Sequence, residues 1–151
     1  MKKIIAELFH LPNGAYLPQF YCLKEDGQPD PAISSTLLEL IADSHGTSGE
    51  ELKALIDQAE AGRYVPQDPS LPDWSVNDKH VWLIAPMAEL GHVCISNENN
   101  GDYSVSDGGQ AQQFSYEQFR TALSHWESFK ARMKASGMDS LVGQRYETDL
   151  Y

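Results

Sequence analysis

The stretch Phe114 to Gly137 spells out one helix from start to stop, and the rest of the chain has to pack around it. Ser115 followed three residues later by Gln118 is a capping box, and Phe114 with Phe119 occupies the two positions of a hydrophobic staple. Counted at about 100° per residue from Phe119, the side chains of Tyr116, Ala122, Leu123, Trp126, Phe129 and Met133 fall in one stripe roughly 140° wide, the signature of a core-facing helix. Arg120, Thr121, Ser124, Glu127, Ser128 and Lys134 make the opposite face. Lys130, Arg132 and Lys134 stand in the last turns, where the helix dipole favours cations, and Gly137 supplies a left-handed residue to end it.

The chain is long enough to bury that stripe. At 151 residues one domain, 1–151, is expected, and a domain of this length removes about two-thirds of its unfolded surface from water. With 41% apolar and 22% charged residues, the composition is that of ordinary globular proteins and not of disordered ones. No apolar run approaches the roughly 18 residues of a membrane span. Met1-Lys2-Lys3 leads only into Ile4-Ile5-Ala6 before Glu7 interrupts, so no signal peptide and no membrane partner are expected, and the expected location is cytoplasmic.

Taken in order, Lys2 to His10 predicts a strand in which Ile4, Ala6 and Leu8 alternate with Lys3, Ile5, Glu7 and Phe9, a pattern of burial on both faces. Pro12-Asn13-Gly14 turns the chain into a second strand, Ala15 to Leu23, where Pro18 marks a sheet edge or a bulge; the two form an antiparallel hairpin. Glu25 to Pro31 is a polar linker. A helix from Ile33 to Ser44 points Leu37, Leu38, Leu40 and Ile41 inward, with Ser34 or Ser35 as its cap. His45-Gly46 stops it, and Ser48 with Glu51 opens a second helix that carries Leu52, Leu55, Ile56 and Ala59 to an end at Gly62. Pro66, Pro69 and Pro72 make Arg63 to Asp78 a long ordered loop without a regular element. His80 to Ala85 is an uninterrupted apolar run that predicts a central strand. Asn100-Gly101 predicts a hairpin between His92 to Asn97 and Asp102 to Ser106, after which Gln110 to Gln113 lead into the long helix. Residues 138–151 are either a tail packed on the body or a frayed end. The expected fold is α+β, mainly an antiparallel sheet of about five to six strands with a helical hairpin and one long C-terminal helix packed on it.

Catalytic and metal signatures are missing from this pattern. His10, His45, His80, His92 and His125 show no HxxxH or HExxH spacing, although His80 and His92, on neighbouring strands, are placed where they could face each other across a sheet. Asn97 to Asp102 departs from the EF-hand pattern, since its glycine falls one place early and no glutamate closes the loop. Cys22 and Cys94 form no CxxC pair and are expected as buried thiols without a disulfide. No GxSxG, GxGxxG or GxxxxGK[ST] occurs, so no catalytic residue, metal or cofactor is expected.

The charge balance carries the functional expectation. There are 22 Asp+Glu against 11 Lys+Arg, a sign that disfavours nucleic acid. Between Glu25 and Asp78 twelve acids face only Lys53 and Arg63, and between Glu89 and Asp107 four acids face no base. Such a surface is either a solubilising coat or a face for a basic protein. In size, acidity, α+β make-up and absence of a catalytic motif, the chain resembles the immunity proteins with which bacteria neutralise the toxins of contact-dependent and secreted-toxin systems. That resemblance implies a tight complex that masks a toxin. The candidate contact residues are Asp68, Asp73 and Asp78 around Trp74, with Glu98, Asp102 and Asp107 around Tyr103. An acidic chaperone for a secreted effector is the alternative, although those chaperones open with a helix and this chain with a strand hairpin. A small enzyme is the third class, and it calls for a deep pocket gathering His80, His92 and a carboxylate.

Overall fold

In chain order the elements are β1 (Lys3–His10), β2 (Tyr16–Leu23), α1 (Pro31–Ile33), a π-helical segment (Ser34–Leu38), α2 (Glu39–Asp43), α3 (Thr47–Glu60), β3 (Trp74–Val76), β4 (Lys79–Trp82), β5 (His92–Asn97), β6 (Ala111–Ser115), α4 (Tyr116–Ser136) and β7 (Arg145–Asp149). The computed structural model describes residues 1–44, 46–64, 73–76, 79–83, 92–97 and 111–150, the backbone alone at 79–80, 82, 92–97 and 111–113. The fold is α+β. Its described strands form two antiparallel sheets, ordered β2-β1-β7 and β3-β4-β5-β6, where the sequence predicts a single sheet.

The opening hairpin forms as expected, with β1 and β2 paired from Lys3↔Leu23 to His10↔Tyr16. Pro18 lies on an edge strand, where its missing N–H leaves no gap in the ladder. The third strand of this sheet is the C-terminal segment. Residues 145–149 pair with β1 from Lys3↔Asp149 to Glu7↔Arg145, so this segment is a strand of the sheet and not a frayed end. Ile4, Ala6 and Leu8 enter the main core, and Ile5 is fully buried outside that cluster, between its Cα partners Tyr21 and Glu147.

Helices form in both predicted stretches, but their caps differ from those predicted. Asp30, and neither Ser34 nor Ser35, caps the first helix: its Oδ1 accepts from the Ile33 amide at 3.2 Å and its Oδ2 from Lys2 Nζ at 2.7 Å. The serines act inside the helix. Ser34 Oγ donates to the Asp30 carbonyl and Thr36 Oγ1 to that of Ala32, each at 2.7 Å; such back-bonding competes with the ladder and accompanies its widening into a π turn. α3 likewise lacks the predicted Ser48–Glu51 box. Its N-cap is Gly46, which offers no side-chain hydrogen bond.

The long helix matches its forecast. Ser115 Oγ accepts from the Gln118 amide at 3.1 Å, Gln118 Oε1 accepts from the Ser115 amide at 2.9 Å, and Gly137 ends the helix at φ 80°. Phe119, Ala122 and Phe129 are almost fully buried, and one core cluster joins this stripe to Leu37, Leu40 and Ile41, to β1, to Val81 of the second sheet and to Leu83 just beyond β4. Two strands were not foreseen there. Trp74–Val76 form an edge strand within the proline-bearing stretch, and the partner of β5 among the described residues is Ala111–Ser115, not the predicted Asp102 to Ser106, which lies outside the described residues.

Candidate interaction surface

Six of the eight acidic and aromatic contact candidates, Asp68, Asp78, Glu98, Asp102, Tyr103 and Asp107, lie outside the described residues. The other two are held from within. Asp73 Oδ1 accepts from Tyr64 Oη and Oδ2 from the Leu83 amide, both at 2.7 Å, so its carboxylate ties the segment before β3 to the end of β4. Burial, reinforced by this bond to Asp73, pushes the Tyr64 phenol up to about 12. Trp74 is half-buried against the core, and its Nε1 is buried without a hydrogen-bond partner among the described residues. In the second sheet Trp74 pairs with Val81 and Lys79 with Asn97.

A groove that the sequence did not indicate runs between the edge strand β2 and the helical stretch 31–43. β2 is tied to the start of the helical stretch at Cys22, whose amide donates to Ser34 Oγ and whose carbonyl accepts from the Asp30 amide, both at 2.9 Å. Since Cys22 turns its backbone away from β1, strand alternation turns Phe20, Pro18 and Tyr16 outward as well. The groove encloses about 600 Å³ and is lined by Leu17, Pro18, Phe20, Tyr21, Glu39 and Asp43 among others, with two carboxylates and no base among the described residues. A second hollow of about 450 Å³ adjoins it, sharing Tyr21, Pro31 and Ser34 and adding Phe9. Phe9 and Leu17, which are Cα partners, are 41% and 40% exposed, a pair of large apolar side chains open to solvent. Burial also pushes the Cys22 thiol up to about 11, so this cysteine is an inert core residue.

A further concavity, of about 630 Å³ and lined mostly by polar residues, lies along α4 beside β7. At its floor His125 is buried, stacked between the rings of Phe20 and Tyr146 at centroid distances of 6.2 and 4.7 Å. Its Nε2 is 2.8 Å from the Tyr146 carbonyl oxygen, which can only accept, so Nε2 carries the proton. Burial lowers its pKa against the raising effect of that bond, and the ring is neutral at pH 7. On the rim, Arg120 is bound to Asp57 at 2.8 Å and Glu60 at 2.9 Å. His125 is engaged to a carbonyl and Arg120 doubly paired, so neither stands in this groove as an activated base or nucleophile. His80 and His92 do not meet across the sheet: His80 pairs with Ser96, four residues along β5 from His92, or about 13 Å. Among the described residues no group of three His, Cys, Asp or Glu is placed to hold a metal, and no helix is long and apolar enough to cross a membrane.

The chain matches no protein-family model, no curated protein and no solved structure.

Proposed function

We propose that this protein is an inhibitor that binds a cationic protein and neutralises it without chemistry of its own, as a cytoplasmic immunity protein does for a bacterial toxin. The observation that carries the reading is a groove whose charged lining residues, among those described, are the acids Glu39 and Asp43, on a chain of net charge −11. The two features divide the work. The long-range field of the acids steers a basic partner, raising its association rate by roughly tenfold to a thousandfold, and the loop acids Asp68, Asp78, Glu98, Asp102 and Asp107 contribute to that field. Exposed apolar groups at the groove, Leu17 and Phe9, supply the contacts that slow dissociation. Trp74 and Tyr103 remain candidate anchors of the same kind, whereas the Asp73 carboxylate serves the fold.

The test is expression of the protein encoded by the adjacent reading frame, alone and together with this chain. The expected outcome is growth arrest by the neighbour alone, rescue on co-expression, and a one-to-one complex whose association slows with added salt. A neighbour that is harmless, or that still arrests growth in the presence of this chain, overturns the proposal. A dimer of this chain carrying an inactive effector would favour the chaperone reading instead.

A further inference from the structure

We propose that the cationic partner docks on the open edge of β2, where an extended basic segment of it pairs as an added strand; this rests on the inhibitor reading above and gives that reading its mode of binding. The order β2-β1-β7 leaves β2 at an edge, and bonds at its two ends fix which backbone groups face outward. At the turn, the Leu11 amide donates to the Ala15 carbonyl at 2.8 Å. At the other end, the Cys22 amide donates to Ser34 Oγ at 2.9 Å and not to β1. Both set the same alternation: Leu17, Gln19 and Tyr21 bond to β1, while Tyr16, Pro18 and Phe20 turn their backbone groups away from it. The amides of Tyr16 and Phe20, and the carbonyls of Tyr16, Pro18 and Phe20, therefore have no partner among the described residues.

The chain already adds to this edge where it can. Residues 28–30 fold back antiparallel along the end of β2: the Lys24 amide donates to the Gln28 carbonyl at 2.7 Å, the Asp30 amide donates to the Cys22 carbonyl at 2.9 Å, and Leu23 bridges Pro29. Pro31 then leaves the edge to open the first helix, so the addition stops and the backbone from Phe20 to Tyr16 stays open. The groove runs along that open part. Its β2 wall is the unbroken run Leu17 to Tyr21, so residues of both strand faces reach it and the wall is the strand's edge. A volume of about 600 Å³ and a rise of about 3.3 Å per residue suit an extended segment of about four or five residues. Charge selects the occupant. Glu39 and Asp43, one helical turn apart, line the opposite wall, and alternation in an added strand turns every second side chain toward them, where Lys or Arg is favoured. A second copy of this chain, at net charge −11, would meet acid with acid, and its Pro18 has no amide to give.

The test follows amide hydrogen exchange in the intact protein, residue by residue, with a capped hexapeptide of alternating lysine and valine as the probe. In the free protein the Tyr16 and Phe20 amides should exchange faster than those of Leu17, Gln19 and Tyr21, and saturating peptide should slow both by about tenfold or more. The same peptide methylated on every backbone nitrogen should bind at least about tenfold more weakly, and a glutamate–valine peptide should give no protection. Glu39→Gln with Asp43→Asn should weaken the lysine peptide several-fold and lessen its salt dependence, while unchanged exchange of the β1 amides shows that the fold is kept. No protection of Tyr16 and Phe20, or equal affinity of the methylated and unmethylated peptides, overturns the pairing. Self-association that protects these amides without peptide would make a second copy the occupant and overturn it too. The neighbouring gene product is judged separately. If it is bound and neutralised without protecting these amides, the inhibitor reading stands and this edge is not its contact; if the peptide pairs but the neighbour is harmless, the edge stands as a docking site and the toxin does not.

Discussion

Two buried titratable residues among the described ones, Asp30 and His125, tie the stability of this fold to pH. Asp30 holds Lys2 and caps the first helix while 4% exposed; burial pushes its pKa up, but Lys2 and the Ile33 amide outweigh burial and hold it below the ordinary 3.8. A depressed carboxylate contributes stability that is fully present above its unfolded pKa and is lost as pH falls through the folded value. Asp30→Ala should therefore cost about 2–4 kcal/mol at pH 7, from the cap and the charge-assisted bond together, and Asp30→Asn about half as much because an oxygen remains to cap Ile33. Urea midpoints at pH 7 and pH 3 check this, the deficit shrinking in acid. His125 works in the opposite chemical sense with the same pH direction. Its pKa is lowered by burial from 6.5, so the unfolded chain binds the proton first and stability falls as pH drops below about 6.5, at up to about 1.4 kcal/mol per unit. His125→Gln, which keeps a donor for the Tyr146 carbonyl, should flatten that slope; equal slopes in wild type and variant would contradict the assignment. Neither residue was visible in the sequence as what it is. Ser34 and Ser35 compete with Asp30 as caps in any local reading, and His125 falls about 40° outside the apolar stripe of its helix, where a polar-capable ring is counted with the solvent face.

Among the elements, legibility tracks how much of the stabilising chemistry is local. The long helix was readable to within two residues at its start because capping box, stripe and terminal glycine are all short-range, and each is realised in α4. Ser115→Ala should cost about 1 kcal/mol and Trp126→Ala about 3–5 kcal/mol, whereas Ser124→Ala, on the exposed face, should stay within about 0.5 kcal/mol. Thermal midpoints rank the three, and a Trp126 variant no worse than the Ser124 one would remove α4 from the core. β6 and β7 were missed for the complementary reason. Ala111–Ser115 and Arg145–Asp149 are polar, and they become strands by pairing with β5 and β1, partners 15 or more residues away in sequence, from which no alternation within AQQFS or RYETD can be read. Trp74–Val76 adds the case of a strand three residues long, below the length at which a period of two can be recognised.

For the whole molecule, the sequence conveyed class and charge but not how the strands divide, because the apolar alternation that marks a strand says nothing about which sheet it joins. The groove beside β2 was hidden for a related reason: it is made by an edge strand and a helix that the sequence predicts separately, and their spacing is set by Asp30, Ser34 and Cys22 acting together. These features shape the final prediction, which separates steering from anchoring. Neutralising Asp68, Asp78, Glu98, Asp102 and Asp107 together, with Asp73 left intact because its carboxylate holds Tyr64 and the Leu83 amide, should lower the association rate with the basic partner by about tenfold at low salt. The same change should flatten the dependence of that rate on salt and leave dissociation nearly unchanged, since rim charges act before the surfaces meet. Leu17→Ala with Phe9→Ala should do the reverse, raising the dissociation rate by about tenfold or more while the association rate and its salt slope stay put. Both side chains are about two-fifths exposed, so the pair can be truncated with little loss of fold, and an unchanged urea midpoint would confirm that the effect is on binding. Stopped-flow association and competition dissociation at low and high salt measure the four rates. If the five neutralised acids leave the salt slope as it was, the acidic surface is a solvated coat, and if Leu17 and Phe9 leave dissociation as it was, the partner does not sit in the groove.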